Sequence, residues 1–304
     1  MVRTKFIPII LLAVALFGCN KLIEVNPDTN TAPEQAVALI RSRFPAASDL
    51  VFNTLVKGRV WDASFKVSNS RYRSAVDRTS ILTTSRSASE SLHDSLVILT
   101  NHLFIRWGTI SNIREILPDS ETGAKKSSYF ADYAWKGNLW TLKVTFAEPG
   151  SPFYHTVTII PRIDLEYVTA DLESLPAKAQ EVLKERGQWS GAVTVRIDKD
   201  GKRTYLAPFY RFDDDGIPFF TGLNNVVKYG NMEEIAPGIH DYFKHSSGFS
   251  ELSFSSGTMF DDGSCAGYSL YLGNDNEKVS EQFHFIFSRQ GYIVTESYTA
   301  SVKP

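Results

Sequence analysis

The feature that most restricts this chain is an alternation of apolar and polar side chains with a period of two, broken at intervals by glycine turns. Trp61, Ala63, Phe65 and Val67 fall on one side of a strand, with Asp62, Ser64 and Lys66 on the other. The pattern returns at Trp140, Leu142, Val144 and Phe146 against Thr141, Lys143 and Thr145, and at Phe283, Phe285 and Phe287 against His284 and Ser288. Such strands bury one face and leave the other wet. Lys57-Gly58, Lys136-Gly137, Asp200-Gly201, Asp215-Gly216 and Asp262-Gly263 stand between predicted strands. Asp-Gly pairs favour the positive backbone angles of tight hairpins, so the sheets are predicted to be antiparallel.

Helices are announced by proline. Ala32-Pro33-Glu34, Leu175-Pro176-Ala177 and Ala236-Pro237-Gly238 each precede an apolar pair one to two turns on: Leu39 and Ile40, Val182 and Leu183, Tyr242 and Phe243. Proline suits a first helical turn, where its missing N–H has no partner to lose. A further helix without proline is predicted around Leu92, Leu96, Leu99 and Leu103. Together these signals predict an α+β fold of tandem modules, each a helix packed on a four-stranded antiparallel sheet, over residues 32–86, 87–172, 173–228 and 229–304.

Ahead of the modules, Arg3 and Lys5 precede an apolar run from Phe6 to Phe17 that ends in Leu16-Phe17-Gly18-Cys19. This is the layout of a secretory signal cut before a cysteine, with residues 1–18 removed and residues 19–31 left as a tether. Cys19 is then the lipidation site, holding the chain on a membrane by an acylated N-terminus. The run is shorter than the roughly 20 residues that span a bilayer. The expected location is the outer membrane or the periplasmic side of the cell envelope. Acylation of Cys19 leaves Cys265 as the remaining cysteine, so no disulfide is expected and stability must come from apolar burial, for which a hydrophobic content of 43% suffices. A formal charge of -2 argues against a nucleic-acid partner.

A helix followed by four antiparallel strands, repeated behind such a signal, resembles the PepSY-like, β-lactamase-inhibitor-like envelope proteins of Bacteroidota. The first module carries the likeness in a helix ending at Phe44-Pro45 and in strands over Leu50 to Leu55, Val60 to Val67 and Tyr72 to Ile81. The last carries it in Ala236-Pro237, Ile239 and Tyr242 and in the run from Phe283 to Gly291. Phe52 and Phe254 stand where that family often has tryptophan in its first strand. The resemblance implies a layered fold whose curved, wet sheet face makes protein contacts, with no enzyme activity; no cofactor is expected.

No catalytic or metal site is assigned from the residues. Gly263-Ser264-Cys265-Ala266-Gly267 has the form of a nucleophile elbow, but that elbow needs a strand before it and a helix after it, and here Tyr268, Leu270 and Leu272 alternate as a strand. Asp213-Asp214-Asp215-Gly216 and Asp198-Lys199-Asp200-Gly201 lack the further acids of a calcium loop and read as hairpin turns. The six histidines form no zinc spacing. His155 is expected as an inner, hydrogen-bonded residue and His284 on the wet face.

One surface feature stands out. Lys57, Arg59, Lys66, Arg71, Arg73, Arg78 and Arg86 face only Asp62 and Asp77 within the same stretch. Arg71 and Arg73 share a strand face and are predicted to meet Lys66 next door, which makes these three the partner-face candidates. A basic face of this kind grips an envelope protein, an acidic glycan or anionic headgroups. It also serves simply to block edge pairing. The function expected is therefore a non-catalytic, lipid-anchored protein that binds, or inhibits, another macromolecule through its sheet faces. The alternatives are an envelope hydrolase using Cys265 and a structural spacer.

Overall fold

A computed structural model of the chain describes residues 32–88, 108–118, 128–135, 137–146, 155–222, 225–235, 237–245, 253–263, 265–275 and 279–302. The expected signal peptide, Cys19, the tether and the helix around Leu92 to Leu103 lie outside them.

Three α-helices are described: α1 (Glu34–Arg43), α2 (Ala177–Glu185) and α3 (Pro237–His245). Pro33 and Pro176 cap the first two, and Pro237 opens the third. None of the described helices is long and apolar enough to cross a membrane.

The strands form meanders. The first runs through β1 (Ser48–Val56), β2 (Val60–Val67), β3 (Ser70–Val76) and β4 (Ile81–Ser87). The next comprises β5 (Thr109–Ile116), β6 (Ser128–Trp135), β7 (Asn138–Phe146) and β8 (His155–Pro161). Then come β9 (Leu165–Thr169), β10 (Val193–Ile197), β11 (Arg203–Leu206), β12 (Tyr210–Phe212) and β13 (Pro218–Thr221). The last five are β14 (Asn225–Tyr229), β15 (Ser253–Asp261), β16 (Ala266–Asp275), β17 (Val279–Ser288) and β18 (Ile293–Val302).

These strands correct the expected α+β string of helix-on-four-strand modules: the chain is mostly β, and its pairings join one meander to the next. A single 13-stranded sheet runs in the order β1-β2-β3-β4-β5-β6-β7-β8-β18-β17-β16-β15-β14, and a 5-stranded sheet runs β13-β12-β11-β10-β9. The physical reason lies at the edges. Ser85 and Ser87 of β4 pair with Ile116 and Arg114 of β5, and Thr158 of β8 pairs with Thr299 of β18. Each join satisfies backbone groups that separate four-stranded sheets would leave bare. Alternation of side chains reports which face is buried and is silent about which edge a strand finds.

One face of the large sheet is apolar. Ala36 and Ile40 of α1 pack on Trp61, Ala63 and Phe65. Ile239, Tyr242 and Phe243 of α3 pack on Phe285 and Phe287, in a core continuous with Leu142, Val144, Val157 and Ile159. Burying a side chain of this size is worth about 1.5–3 kcal/mol. His155 packs edge-on against Phe146, with ring centroids 4.8 Å apart.

The small sheet spans the opposite, polar face of the large one, with β9 near β4 and β13 near β16. Its α2-bearing side buries Leu165, Tyr167, Val195 and Phe212 with Ala179 and Leu183, and the same cluster takes in Val60 and Ala75 of the large sheet. Gly216, at φ +77°, ends a turn so close to α2 that a Cβ there would stand 2.8 Å from Pro176. The two Asp-Gly turns of the small sheet are closed by nearby carboxylates: Asp198 accepts from the Asp200 and Lys202 amides, and Asp213 from the Asp215 and Ile217 amides.

Candidate functional site

The polar face of the large sheet opens beside the small sheet into a groove of about 860 Å³ that contains Lys66, Arg71 and Arg73 in its lining. Register explains the meeting. Lys66 lies opposite Arg71 and Ser64 opposite Arg73 across β2 and β3, and residues directly opposite share a face. The next strands add Arg114 and Asp132, and the corner between β8 and β9 adds Arg162 and Asp164.

The three candidate residues differ in what they hold. Arg73 donates from Nε and Nη2 to both Asp62 oxygens, with its shortest contacts at 2.9 Å, and from Nη1 to Asp164 Oδ2 at 2.6 Å. Asp62, expected on the wet face, is buried beneath this pair. Burial works against the Arg73 charge, but the hydrogen bonds and charges of Asp62 and Asp164 outweigh it and raise its pKa. Arg73 therefore ties β2 and β3 to the corner where the chain leaves one sheet for the other. Lys66 donates to Asp49 at 2.7 Å. Arg71 is exposed and, among the described residues, has no acidic partner.

Deeper in the groove, Arg114 donates from Nη1 to the Asp164 carbonyl at 2.8 Å and lies 3.9 Å from Asp132, while its Nε is buried without a partner among the described residues. Burial pushes the Arg114 pKa down, and the like charges of Arg73 and Arg162 act in the same direction against Asp132 and Asp164. Arg162 stands 3.5 Å from Asp132, whose same oxygen accepts from Asn112 Nδ2 at 2.9 Å. Among the described residues the groove thus offers Arg71 as a guanidinium without an acidic partner at its mouth, above a floor of paired ones, an arrangement suited to holding carboxylate or other oxyanion groups.

Arg114, Arg162, Asp132 and Asp164 were not indicated by the local basic cluster. Asp164 reaches Arg114 across 50 residues of chain and Arg73 across 91, and no spacing signal covers such separations.

Cys265 lies in the turn between β15 and β16, half-buried, where its amide donates to Asp262 Oδ1 at 3.2 Å. The Asp262 carboxylate also accepts from the Tyr210 hydroxyl. Among the described residues no group of three or more His, Cys, Asp or Glu side chains is arranged to hold a metal ion.

Fold and groove together define an antiparallel β protein with a polar sheet face bearing a cationic cleft. No family model matches the chain, and no curated protein matches it. Part of the fold overlaps with the crystal structure of a BLIP-like protein from Bacteroides fragilis, at 12% sequence identity and a TM-score of 0.32, over 42% of this chain and 89% of that one. At that score the likeness is local.

Proposed function

We propose that the chain is a non-catalytic, lipid-anchored protein of the bacterial envelope that grips an acidic stretch of another envelope protein in the groove around Arg71. The observation that carries this reading is the contrast inside the groove: Arg73 and Lys66 spend their donors on Asp62, Asp164 and Asp49, whereas Arg71 stands exposed at the mouth with none of its donors taken among the described residues. An arginine held beside fixed ion pairs loses little by taking an external carboxylate, since its neighbours need not rearrange. The anchor supports the same reading, because Cys19 places the groove close to other envelope proteins.

The test is capture from envelope extract with the full-length, membrane-bound chain and with R71E. The reading predicts a partner that the wild type retains at low salt, that R71E loses, and that leaves the wild type as salt is raised. Equal retention by R71E, or retention indifferent to salt, refutes the groove as the contact. C265A should retain the partner fully. Mass spectrometry of the mature amino terminus tests the anchor, and an unmodified, uncleaved terminus refutes it.

A further inference from the structure

A second group of cations lies away from the groove, between the two sheets. On the small sheet, Arg196 faces Glu166 across β10 and β9, and Arg211 faces Phe220 across β12 and β13. On the large sheet, Tyr271 faces His284 across β16 and β17. The Arg211 guanidinium lies over the Phe220 ring, 5.1 Å from its centroid. Phe220 in turn meets Phe260 edge-on at 5.2 Å and His284 at 6.1 Å. His284 is stacked on Tyr271 with centroids 4.3 Å apart, and its Nε2 is hydrogen-bonded to Ser269 Oγ at 2.8 Å. This overturns the expectation that His284 lies on an open wet face: the small sheet covers it.

Charge does not balance here. Glu166 already accepts from Lys143 Nζ and Arg196 Nε, both at 2.8 Å. Arg211 makes no hydrogen bond to the protein among the described residues, and the Nη groups of Arg196 make none either. Lys143 and Arg196 therefore share the Glu166 carboxylate, and Arg211 adds a third cation that has no carboxylate partner among the described residues. Burial lowers the Arg211 pKa, with the Arg196 charge adding to the effect. A half-buried guanidinium beside a like charge and without an acceptor is costly, and an anion removes that cost.

We propose that the interlayer around Arg211 is an anion site in which this guanidinium, braced on Phe220, takes a carboxylate with help from the Nη groups of Arg196. The shape of the donor selects the class. A guanidinium with one face covered by a ring presents its in-plane N–H edge, which matches two oxygens of a planar carboxylate. On the large sheet His284, stacked on Tyr271 and hydrogen-bonded to Ser269, is held neutral by burial and by Arg211, at a pKa of about 3, so it adds no charge of its own. The carboxylate belongs either to a free small molecule or to a side chain of a bound segment.

Full-length chain in detergent with isotopically labelled histidine rings tests the site, because His284 lies beside it. Acetate is one probe and a glutamate-containing tripeptide, blocked at both ends, is the other. Saturable movement of the His284 ring signals by acetate assigns the site to small carboxylates, and saturation by the tripeptide alone assigns it to a side chain. R211Q should weaken that saturation at least about tenfold, the loss expected for one charge-assisted hydrogen bond, while R71Q in the groove leaves it unchanged. R211K keeps the charge without the fork, so should R211Q fail to fold, R211K must still bind more weakly than wild type. No saturation with either probe, or saturation in R211Q and R211K equal to wild type, overturns the proposal, as does its loss in R71Q.

Discussion

Replacing Asp62 with asparagine tests whether Arg73 is a structural tie. Asp62 retains only 7% of its side-chain exposure and Arg73 retains 28%, with Arg73 Nε and Nη2 donating to the two carboxylate oxygens at 2.9 Å each. Removing one partner of a fully buried ion pair costs about 3–5 kcal/mol. Here the cost is smaller, because Arg73 keeps Asp164 at 2.6 Å and asparagine keeps one acceptor for it. A loss of about 2–3 kcal/mol follows, the range of one charge-assisted hydrogen bond plus residual desolvation. For a chain of this size that lowers Tm by roughly 4–10 °C. Urea unfolding should show a lower midpoint with an unchanged slope. R73Q alone should cost a similar amount, and the double variant should recover at least about 1 kcal/mol of the summed losses. A D62N midpoint within about 0.5 kcal/mol of wild type, the range of an ordinary surface substitution, would refute the role given to the pair.

Three further outcomes follow from the geometry. G216A should cost about 2–4 kcal/mol, since alanine there combines a strained positive φ with a Cβ 2.9 Å from the Ala179 amide, whereas G201A at φ +81°, with nothing within 4 Å of its Cβ, should cost only about 1–2 kcal/mol; equal losses in thermal melts would deny the contact with α2. Burial pushes the Glu166 pKa up, but Lys143 and Arg196 outweigh it and hold it below the usual carboxylate value. Its contribution is therefore present above the unfolded pKa of about 4.3 and lost as pH falls through the lower folded one, and E166Q should flatten that part of the stability curve. His284, lowered to about 3, works in the same direction: the unfolded chain binds the proton first, so stability falls from about pH 6.5 downward, and its ring signals should show no protonation at pH 5.

Much local structure was legible. Pro33, Pro176 and Pro237 mark the helix starts, and Trp61, Ala63 and Phe65 turn inward as their alternation predicts. The stretch from Tyr72 to Ile81, read as one strand, instead contains a hairpin at Asp77 to Ser80. No glycine announces it, because the Asp77 carboxylate closes the turn by accepting from the Thr79 and Ser80 amides at 2.6 and 2.7 Å. The misplacements share one cause. Asp62 and His284 alternate with core residues and so read as wet, yet Arg73 covers the first and the small sheet covers the second. Period-two patterning records the face opposite the helices without recording what lies on it. Lys66, Arg71 and Arg73 were visible as a cluster because they are near in sequence. The other half of their groove comes from strands and a corner far along the chain.

Thr156 and Ser301 lie side by side across β8 and β18, although 145 residues separate them. The strand that fills the middle of the sheet is thus made long after its neighbour β8. Until it docks, β8 and β17 present long bare borders of unpaired amides, each a template for a second molecule. A chain cut before Ile293 would keep its helices and most of its turns, and its failure would be self-association along those borders instead of unravelling.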